Sequence, residues 1–201
     1  MLKLWHAPRT RSSRVLWLIG ELGLDHTVER IEFKPEVIKA PGFLKVHPLG
    51  KLPALEDDGQ VLTESIAIMM HLLEAHGGGR LQPAPGSPDR AAFLHWMVFS
   101  EASLMEPVLE VLRHTMLRPE ERRVPMIAEE GRVKIVPALG MLEAALDGRD
   151  HLLGDYSAAD VAVGYTLTLA NLVGLIGPDT PRVAAYLARL SGRPAYTAAF
   201  A

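Results

Sequence analysis

The sequence predicts an α/β domain followed by an all-α domain, joined by a short linker. Before about residue 80, short segments with the period of a strand alternate with segments that have the period of a helix. Residues 82–89 then carry three prolines and a glycine, which favours a break between compact units. Beyond this stretch, the apolar segments all have helical period. We therefore expect an α/β domain at residues 1–80, a linker at 81–89 and an all-helical domain at 90–201.

A β-α-β unit opens the chain. Residues 2–6 alternate between apolar and polar side chains, as a strand does. Apolar residues within 12–22 recur at helical spacing, and Gly23 follows at the position where helices commonly end. Residues 27–33 alternate less regularly and are interpreted as a second strand. The whole segment has the length of about 30 residues that such a unit needs.

A loop, a hairpin and a helix complete the first domain. Residues 34–47 contain two prolines and a glycine and are interpreted as irregular. Residues 52–56 and 60–62 read as two strands that Asp57-Asp58-Gly59 joins by a tight turn. Residues 64–76 have helical spacing, and three glycines end them. The predicted order is therefore β-α-β-loop-β-β-α.

The second domain is predicted to contain four or five helices. Its helical segments are residues 90–116, 119–146, 158–175 and 181–190. Ser157 and Asp160 have the spacing of a capping box, and Tyr156 and Val161 are placed for the hydrophobic contact that accompanies it. Such caps contribute about 1 kcal/mol to folding, so we assign Asp160 to stability and not to catalysis.

Composition excludes several functional classes. The 201 residues include 21 Lys and Arg against 24 Asp and Glu, a net charge of −3, so the chain lacks the charge pattern of a nucleic-acid-binding protein. No cysteine is present, which excludes a disulfide scaffold and an oxidoreductase that uses its own thiol. No apolar run reaches the roughly 18 residues of a membrane span, and no signal-peptide pattern opens the chain. We expect a cytoplasmic protein with no membrane partner.

The histidines do not predict a metal site. Of the eight in the chain, none cluster at metal-ligand spacing. His71 and His76 are five residues apart, which does not place them on one face of a helix. We therefore expect no bound metal.

Three segments carry candidate chemistry. Pro53 opens a predicted strand; if its peptide bond is cis, the backbone of Leu52 can pair with a bound peptide, and if it is trans it is an ordinary edge proline. Thr63-Glu64-Ser65 precedes a helix, where it offers either a carboxylate-binding helix start or simple capping. The segment 8–14 places hydroxyl and guanidinium groups at the end of the first strand, either to stabilise a ligand anion or to cap a helix beside solvated arginines.

The order and spacing of these segments resemble one family. The stretch His47-Pro48-Leu49-Gly50-Lys51-Leu52-Pro53-Ala54-Leu55 is similar to the region around the cis-proline of cytosolic-type bacterial glutathione S-transferases. Leu62-Thr63-Glu64-Ser65-Ile66-Ala67-Ile68 resembles the helix start that binds the γ-glutamyl group in that family. The resemblance covers nearly the whole chain and implies a thioredoxin-like first domain and a helical second domain.

The resemblance implies a set of glutathione-binding residues. The backbone of Leu52, beside Pro53, would pair with the cysteinyl unit, and Glu64 and Ser65 would bind the γ-glutamyl carboxylate and amine. Lys51, and less directly Lys39, would meet the glycyl carboxylate. His47 stands where the family typically has Asn, which is a departure from its pattern.

The catalytic group is expected among Thr10, Arg11 and Ser12. Family members stabilise the glutathione thiolate with Tyr, Ser or Cys; counting back from Arg14 places Thr10 in the serine-type slot and Arg11 in the cysteine-type slot, with Ser12 next. Ser13 is expected to cap the helix. Lowering a thiol pKa of about 8.5 by two units takes about 2.7 kcal/mol, which a hydroxyl, a guanidinium and a helix N-terminus can supply together.

The resemblance also implies the reaction and the partners. We expect a glutathione transferase that conjugates glutathione to small hydrophobic electrophiles in detoxification, with peroxidase or isomerase activity as variants. Glutathione would be its co-substrate, and it would need no other cofactor. The helical domain would contribute the electrophile pocket, and Ser103 or Glu101 would reach the γ-glutamyl amine across a homodimer interface. The alternative is a non-catalytic glutathione-binding or protein-interaction module with the same fold.

Overall fold

The computed structural model describes all 201 residues, which divide into two compact units. The first unit is built on a four-stranded sheet in the order β2-β1-β3-β4. Its strands are β1 (Leu2–His6), β2 (His26–Arg30), β3 (Ala54–Asp57) and β4 (Gln60–Thr63). β1 pairs with β2 in parallel and with β3 antiparallel, and β3 and β4 form an antiparallel hairpin. This topology confirms the predicted β-α-β-loop-β-β-α order.

Helices and a loop cover the sheet. Helix α1 (Ser12–Leu22) ends at Gly23 in the left-handed conformation, as predicted, and packs on β1 and on α4 (Ser65–Ala75). The loop after β2 contains two single-turn helices, α2 (Pro35–Ile38) and α3 (Pro41–Leu44), where the sequence predicts irregular structure. Each begins with proline at the first helical position, where the missing N–H costs no hydrogen bond.

The second strand is shorter than predicted. The pattern predicts a strand over residues 27–33, whereas β2 ends at Arg30. β1 ends at His6, which is paired with Arg30, so the following residues have no neighbouring strand to continue the ladder. Phe33 is accordingly exposed.

The last nine residues belong to the first unit. The structure groups Arg193–Ala201 with Met1–Leu81, whereas the sequence assigns them to the helical domain. Helix α10 (Pro194–Phe200) packs against α1: the Arg193 guanidinium binds both carboxylate oxygens of Glu21 at 2.7 Å, and the Tyr196 ring meets the Trp17 ring edge-on. A helical period shows that a segment buries one face, but it does not show which element covers that face.

The second unit, Gln82–Gly192, is helical. Its α-helices are α5 (Arg90–Ala102), α6 (Met105–Leu112), α7 (Pro125–Ala145), α8 (Ala158–Leu172) and α9 (Pro181–Ser191). A π-helical turn at Arg113–Leu117 and a 3₁₀ turn at Glu120–Arg122 connect α6 to α7. None of the helices combines the length and apolarity that crossing a bilayer requires.

Prolines explain where the helices of this unit depart from the prediction. Residues 90–116 form one predicted segment of helical period, which the structure divides at Ser103 and Leu104. Pro107 has no N–H to donate to the carbonyl of Ser103, so a continuous helix would lose that bond. In the next segment, helix α7 begins at Pro125 and not at residue 119, because the residue before a proline is driven to the extended conformation that Val124 adopts.

Candidate functional site

The three candidate segments meet at one end of the sheet. The register pairs Trp5, near the end of β1, with Ala54, the first residue of β3. Ala54 also pairs with Thr63, the last residue of β4. The loop after β1, the peptide before β3 and the start of α4 therefore leave the sheet at the same end. The structure thus brings together segments that are far apart in the sequence.

The Leu52–Pro53 peptide bond is cis. The alternative of an ordinary trans edge proline is therefore wrong. The Leu52 side chain is buried in an apolar cluster with Trp5, Phe43 and Ala54. β3 begins only at Ala54, so the N–H and C=O of Leu52 lie outside the sheet ladder. The Leu52 side chain is thus held in the core, while its backbone is outside the hydrogen bonding of the sheet and suited to pairing with an extended peptide.

The start of α4 is not capped by a side chain. Glu64 occupies the N-cap position with φ 67° and ψ 108°, and its side chain makes no capping bond. A positive φ is uncommon for a residue with a side chain and clusters at functional sites. The Glu64 carbonyl accepts from Ile68, so the preceding N–H groups at the helix start have no carbonyl partner within the helix. This start therefore offers donors to an anion, as a simple capped helix would not.

A buried guanidinium lies behind this helix start. Arg14, on α1, is fully buried, and its Nη1 donates to the Oγ of Ser65 at 3.4 Å. The sequence left two interpretations of Arg14 open, a group that stabilises a ligand anion or a solvated cation, and its burial excludes the second. Its position was nevertheless readable, because Arg14 precedes Leu18 and Leu22 at the four-residue spacing of one helix face. The buried charge adds positive potential where α1 and α4 begin.

Thr10 and Ser12 belong to one hydrogen-bond network, but they are not equally accessible. Thr10 is half-buried, and its Oγ1 lies 2.8 Å from the Ala7 carbonyl and 2.7 Å from the Ser12 Oγ. The Ser12 Oγ is fully buried and also lies 2.8 Å from the Nδ1 of His6 and 3.2 Å from both the N–H and the carbonyl of Ala7. Ser12 therefore faces inward, and Thr10 lies between it and the surface.

The neighbouring predictions have different outcomes. Arg11 is half-buried and occupies the N-cap position of α1. The prediction that Ser13 caps α1 is wrong: its Oγ is buried without a hydrogen-bond partner in the chain, and the N–H of Ser12 at the helix start bonds instead to the Oγ1 of Thr10 at 3.3 Å. The N–H of Ser13 also donates to the Thr10 carbonyl at 2.9 Å, so Thr10 lies at the positive end of the α1 dipole.

The two lysines differ in their partners. Lys39 is exposed, and its Nζ donates to the Leu49 carbonyl at 2.6 Å. Lys51, which adjoins Leu52, is also exposed, and no ion pair ties it to the chain. His47 is buried, and its Nδ1 accepts from the N–H of Leu49 at 3.3 Å, so it bonds locally where the family typically has Asn.

Residues predicted to act from the helical part lie in the second unit. Ser103 is exposed at the C-cap of α5, and Glu101 is half-buried in the last turn of that helix. The large apolar side chains of Trp96, Phe99 and Met105, on α5 and α6, are buried within this unit, whereas Met116, in the π-helical turn, is exposed. Trp96 and Phe99 meet edge-on at 5.2 Å.

Comparisons with known proteins agree with this geometry. The family model described as "Glutathione S-transferase, N-terminal domain" matches residues 1–74. Glutathione S-transferase F13 of Arabidopsis thaliana is 33% identical over 166 residues, which cover 79% of this chain and 75% of the relative. The chain belongs to the glutathione S-transferase family. Glutathione S-transferase 3 of Schizosaccharomyces pombe is also 33% identical, but over 105 residues, 52% of this chain and 43% of that relative.

Solved glutathione transferase structures extend the similarity to the whole chain. The transferase URE2P6 of Phanerochaete chrysosporium, solved in complex with oxidized glutathione, superposes with a TM-score of 0.87 at 26% identity. The match covers 99% of this chain and 94% of the fungal one. The thioredoxin-like domain and the helical domain expected for a glutathione S-transferase are therefore confirmed.

His6 is a site residue of this glutathione S-transferase that sequence reasoning missed. Burial, and secondarily the Arg30 guanidinium, lower the pKa of His6 from 6.5 to about 4. The imidazole is therefore neutral at pH 7 and can either donate to Ser12 or accept from it, according to its tautomer. The sequence pattern that could have indicated the burial of His6 is its position in β1, where it follows Leu2 and Leu4 on the same face of the strand.

We expect His6 to make folding stability depend on pH. Because the folded-state pKa lies below the unfolded value, the unfolded chain binds more protons between about pH 6.5 and 4, so stability falls as the pH drops through this window. A pKa shift of this size contributes about 3 kcal/mol to the free energy of unfolding. This contribution is fully present above pH 6.5 and is lost below about pH 4. Urea unfolding between these pH values measures the effect.

The variant His6→Asn should lose part of this pH dependence. The exposed His26 provides the matched control, and His26→Asn should keep the slope of the wild type. His47 and His114 also have pKa values lowered by burial, so the wild-type curve contains their contributions too. An identical slope in His6→Asn and wild type would contradict the assignment.

Proposed function

We propose that this protein conjugates glutathione to small hydrophobic electrophiles, with the hydroxyl of Thr10 stabilising the thiolate. The chain is a glutathione transferase by family. One observation carries the assignment of Thr10. Its half-buried hydroxyl lies at the same end of the sheet as the cis Leu52–Pro53 bond and the uncapped start of α4. Glutathione is the proposed co-substrate, and the reaction as proposed uses no other cofactor.

The proposed binding mode follows the three segments. The N–H and C=O of Leu52 would pair with the cysteinyl backbone. The γ-glutamyl carboxylate would accept hydrogen bonds from the N–H groups at the start of α4 and from the Ser65 hydroxyl. The Glu64 carboxylate would pair with the γ-glutamyl amine. Of the two lysines, Lys51 is better placed for the glycyl carboxylate, because Lys39 already donates to Leu49.

The network around Ser12 supports Thr10 as the donor. Thr10 and Ser12 both lie within hydrogen-bond distance of the Ala7 carbonyl. The Thr10 hydroxyl, which donates to that carbonyl at 2.8 Å, would turn its proton to the sulfur of bound glutathione, while Ser12 would keep its bond to the carbonyl and His6 in its Nδ1–H form would donate to Ser12. An anionic sulfur beside Thr10 would then accept a charge-assisted hydrogen bond. Arg11 and the N-terminal end of the α1 dipole would add positive potential.

The chemical step is simple in this scheme. The thiol releases its proton to solvent and becomes a thiolate, which the protein stabilises. The sulfur lone pair then forms a C–S bond to the electrophilic carbon, and the displaced electron pair leaves with the departing group or is protonated by water. A thiol with a pKa near 8.5 is only a few per cent ionised at pH 7, so stabilising the thiolate raises the concentration of the nucleophile.

Ultraviolet absorbance of the thiolate tests the proposal. The spectrum of the complex is recorded against free protein and free glutathione while the pH is raised. We expect the bound thiol to titrate about two pH units below its free value of about 8.5. S-methylglutathione, which cannot ionise at sulfur, is the matched control and should bind without the signal. Binding with an unshifted thiol pKa would instead favour the non-catalytic binding module.

Several finer assignments remain predictions. These are the electrophile pocket in the helical unit, the detoxification role, the cytoplasmic location, and the homodimer in which Ser103 or Glu101 would reach the γ-glutamyl amine. Sedimentation equilibrium tests the homodimer directly. A monomer at concentrations that sustain full activity would overturn the proposed contribution of Ser103 and Glu101 across an interface.

A further inference from the structure

A cluster of Asp57, His71 and His76 lies at the other end of the sheet. Asp57 is the last residue of β3, His71 lies in the second half of α4, and His76 follows that helix as its C-cap. The Asp57 Oδ2 lies 2.8 Å from the Nε2 of His71 and 2.6 Å from the Nε2 of His76. One ligand atom from each of the three residues lies within 4.8 Å of the others.

The sequence reasoning against a metal site fails at the end of α4. His71 and His76 are five positions apart, and on a continuous helix this spacing would turn the side chains apart. The helix ends at Ala75, however, and His76 adopts φ −125°, outside the helical range. Its imidazole can therefore converge with that of His71 on the same carboxylate.

A second observation points to a ligand. The Asp57 Oδ1 is buried and has no hydrogen-bond partner in the chain, while the side chain as a whole is 10% exposed. Buried carboxylate oxygens almost always have a partner, so this oxygen has unused capacity to bind a donor or a cation. Each imidazole is about one third exposed, which leaves a route from solvent to the cluster.

The surroundings favour a cation. Glu56, Asp57 and Asp58 are consecutive, and they place three carboxyl groups where β3 turns into β4. Three neighbouring carboxyl groups make the local potential negative, which favours binding of a cation.

We propose that Asp57, His71 and His76 form a Zn²⁺ site that joins the β3–β4 hairpin to the end of α4. Two imidazole nitrogens and a carboxylate suit Zn²⁺ better than Mg²⁺ or Ca²⁺, which prefer oxygen ligands. Ligand atoms about 2.1 Å from a tetrahedral ion lie about 3.4 Å apart. The present separations of 2.6 and 2.8 Å between Asp57 and the imidazoles therefore need to open by less than about 1 Å. Water completes the coordination.

This site is separate from the proposed glutathione site. Ala54 lies at the end of the sheet proposed to bind glutathione, and Asp57 is three residues further along β3. At the rise per residue of an antiparallel strand, the two residues are about 10 Å apart. The ion would hold two elements of the first unit together and stabilise the fold. Its occupancy can therefore be tested independently of glutathione binding and of catalysis.

The test is a zinc titration of the tag-free chain after treatment with a chelator. Competition with a chromophoric chelator should show one Zn²⁺ bound per chain, and Zn²⁺ should raise the thermal unfolding midpoint whereas Mg²⁺ should not. His71→Asn and His76→Asn should each weaken Zn²⁺ binding at least tenfold. His26→Asn, which changes an exposed histidine outside the cluster, should bind Zn²⁺ as the wild type does.

Cobalt gives a second readout that does not depend on stability. Co²⁺ at the site should give the visible absorption of a tetrahedral ion, and this absorption should disappear in His71→Asn. Circular dichroism of each variant without metal establishes that it is folded. Absence of stoichiometric Zn²⁺ binding to the wild type, or unchanged binding in the double variant His71→Asn, His76→Asn, would overturn the proposal.

Discussion

Replacing Thr10 by valine should lower kcat/KM for conjugation about 30-fold and return the pKa of bound glutathione towards its free value. Valine keeps the shape of threonine but has no hydroxyl, so the change removes the proposed donor to sulfur together with the bonds of that hydroxyl to Ala7 and Ser12. A hydrogen bond to a charged acceptor contributes about 2 kcal/mol, and each 1.4 kcal/mol corresponds to about a factor of ten. The effect should appear mainly in kcat, because the backbone of Leu52 and the start of α4 would still hold the tripeptide.

Two variants serve as controls for this prediction. Thr10→Ser keeps a hydroxyl on the same carbon and should retain most of the activity. Ser12→Ala removes an inward-facing hydroxyl that contacts His6 and Ala7, so we expect it to lower stability as well as activity. The assignment would be wrong if Thr10→Val kept the shifted thiol pKa while Arg11→Ala lost it, because Arg11 would then be the stabilising group.

Replacing Asp160 by alanine should reduce the free energy of unfolding by about 4 kcal/mol, more than any other single change considered. The fully buried carboxylate accepts four hydrogen bonds. They come from the N–H of Leu152 at 3.0 Å, the N–H and hydroxyl of Ser157 at 2.8 and 3.1 Å, and the hydroxyl of Tyr186 at 2.7 Å. Alanine would leave these donors buried without an acceptor, which costs about 1–3 kcal/mol for each group that cannot reach water.

Urea unfolding of matched variants measures this contribution. Asp155→Ala, an exposed carboxylate in the same loop, should change stability by less than about 0.5 kcal/mol. Tyr186→Phe removes one of the four bonds and should cost about 1–2 kcal/mol. If Asp160→Ala does not fold, Asp160→Asn with Tyr186→Phe provides a milder series, since the amide keeps one acceptor oxygen. Equal stability of the Asp160 and Asp155 variants would contradict the prediction.

Burial of Tyr186 supports its role as a permanent donor. Burial, followed by the charge of Asp160, raises the pKa of Tyr186 well above its usual value. The phenol therefore keeps its proton throughout the range in which the protein is handled. The capping box that the sequence predicted is thus the outer part of a larger network, which ties the loop before α8 to helix α9.

Several features of this protein followed from the sequence alone, because they depend on neighbours along the chain. Helix α1 and its glycine end, the hairpin turn at Asp57-Asp58-Gly59 and the capping box at Ser157 each involve residues within one or two turns. Local conformational preference and hydrophobic period determine such features. The resemblance then supplied the cis bond at Pro53, which residue statistics would not have favoured.

The tertiary structure decided which distant residues share an environment. It buried Arg14 against Ser65, turned Ser12 inward towards His6 and left Thr10 nearer the surface, and it packed the last helix on α1. It also brought His71 and His76 together on Asp57, against the expectation from their spacing. Contacts of this kind depend on strand register and on where helices end, and the free energy that selects them comes from packing between elements, which no local pattern contains.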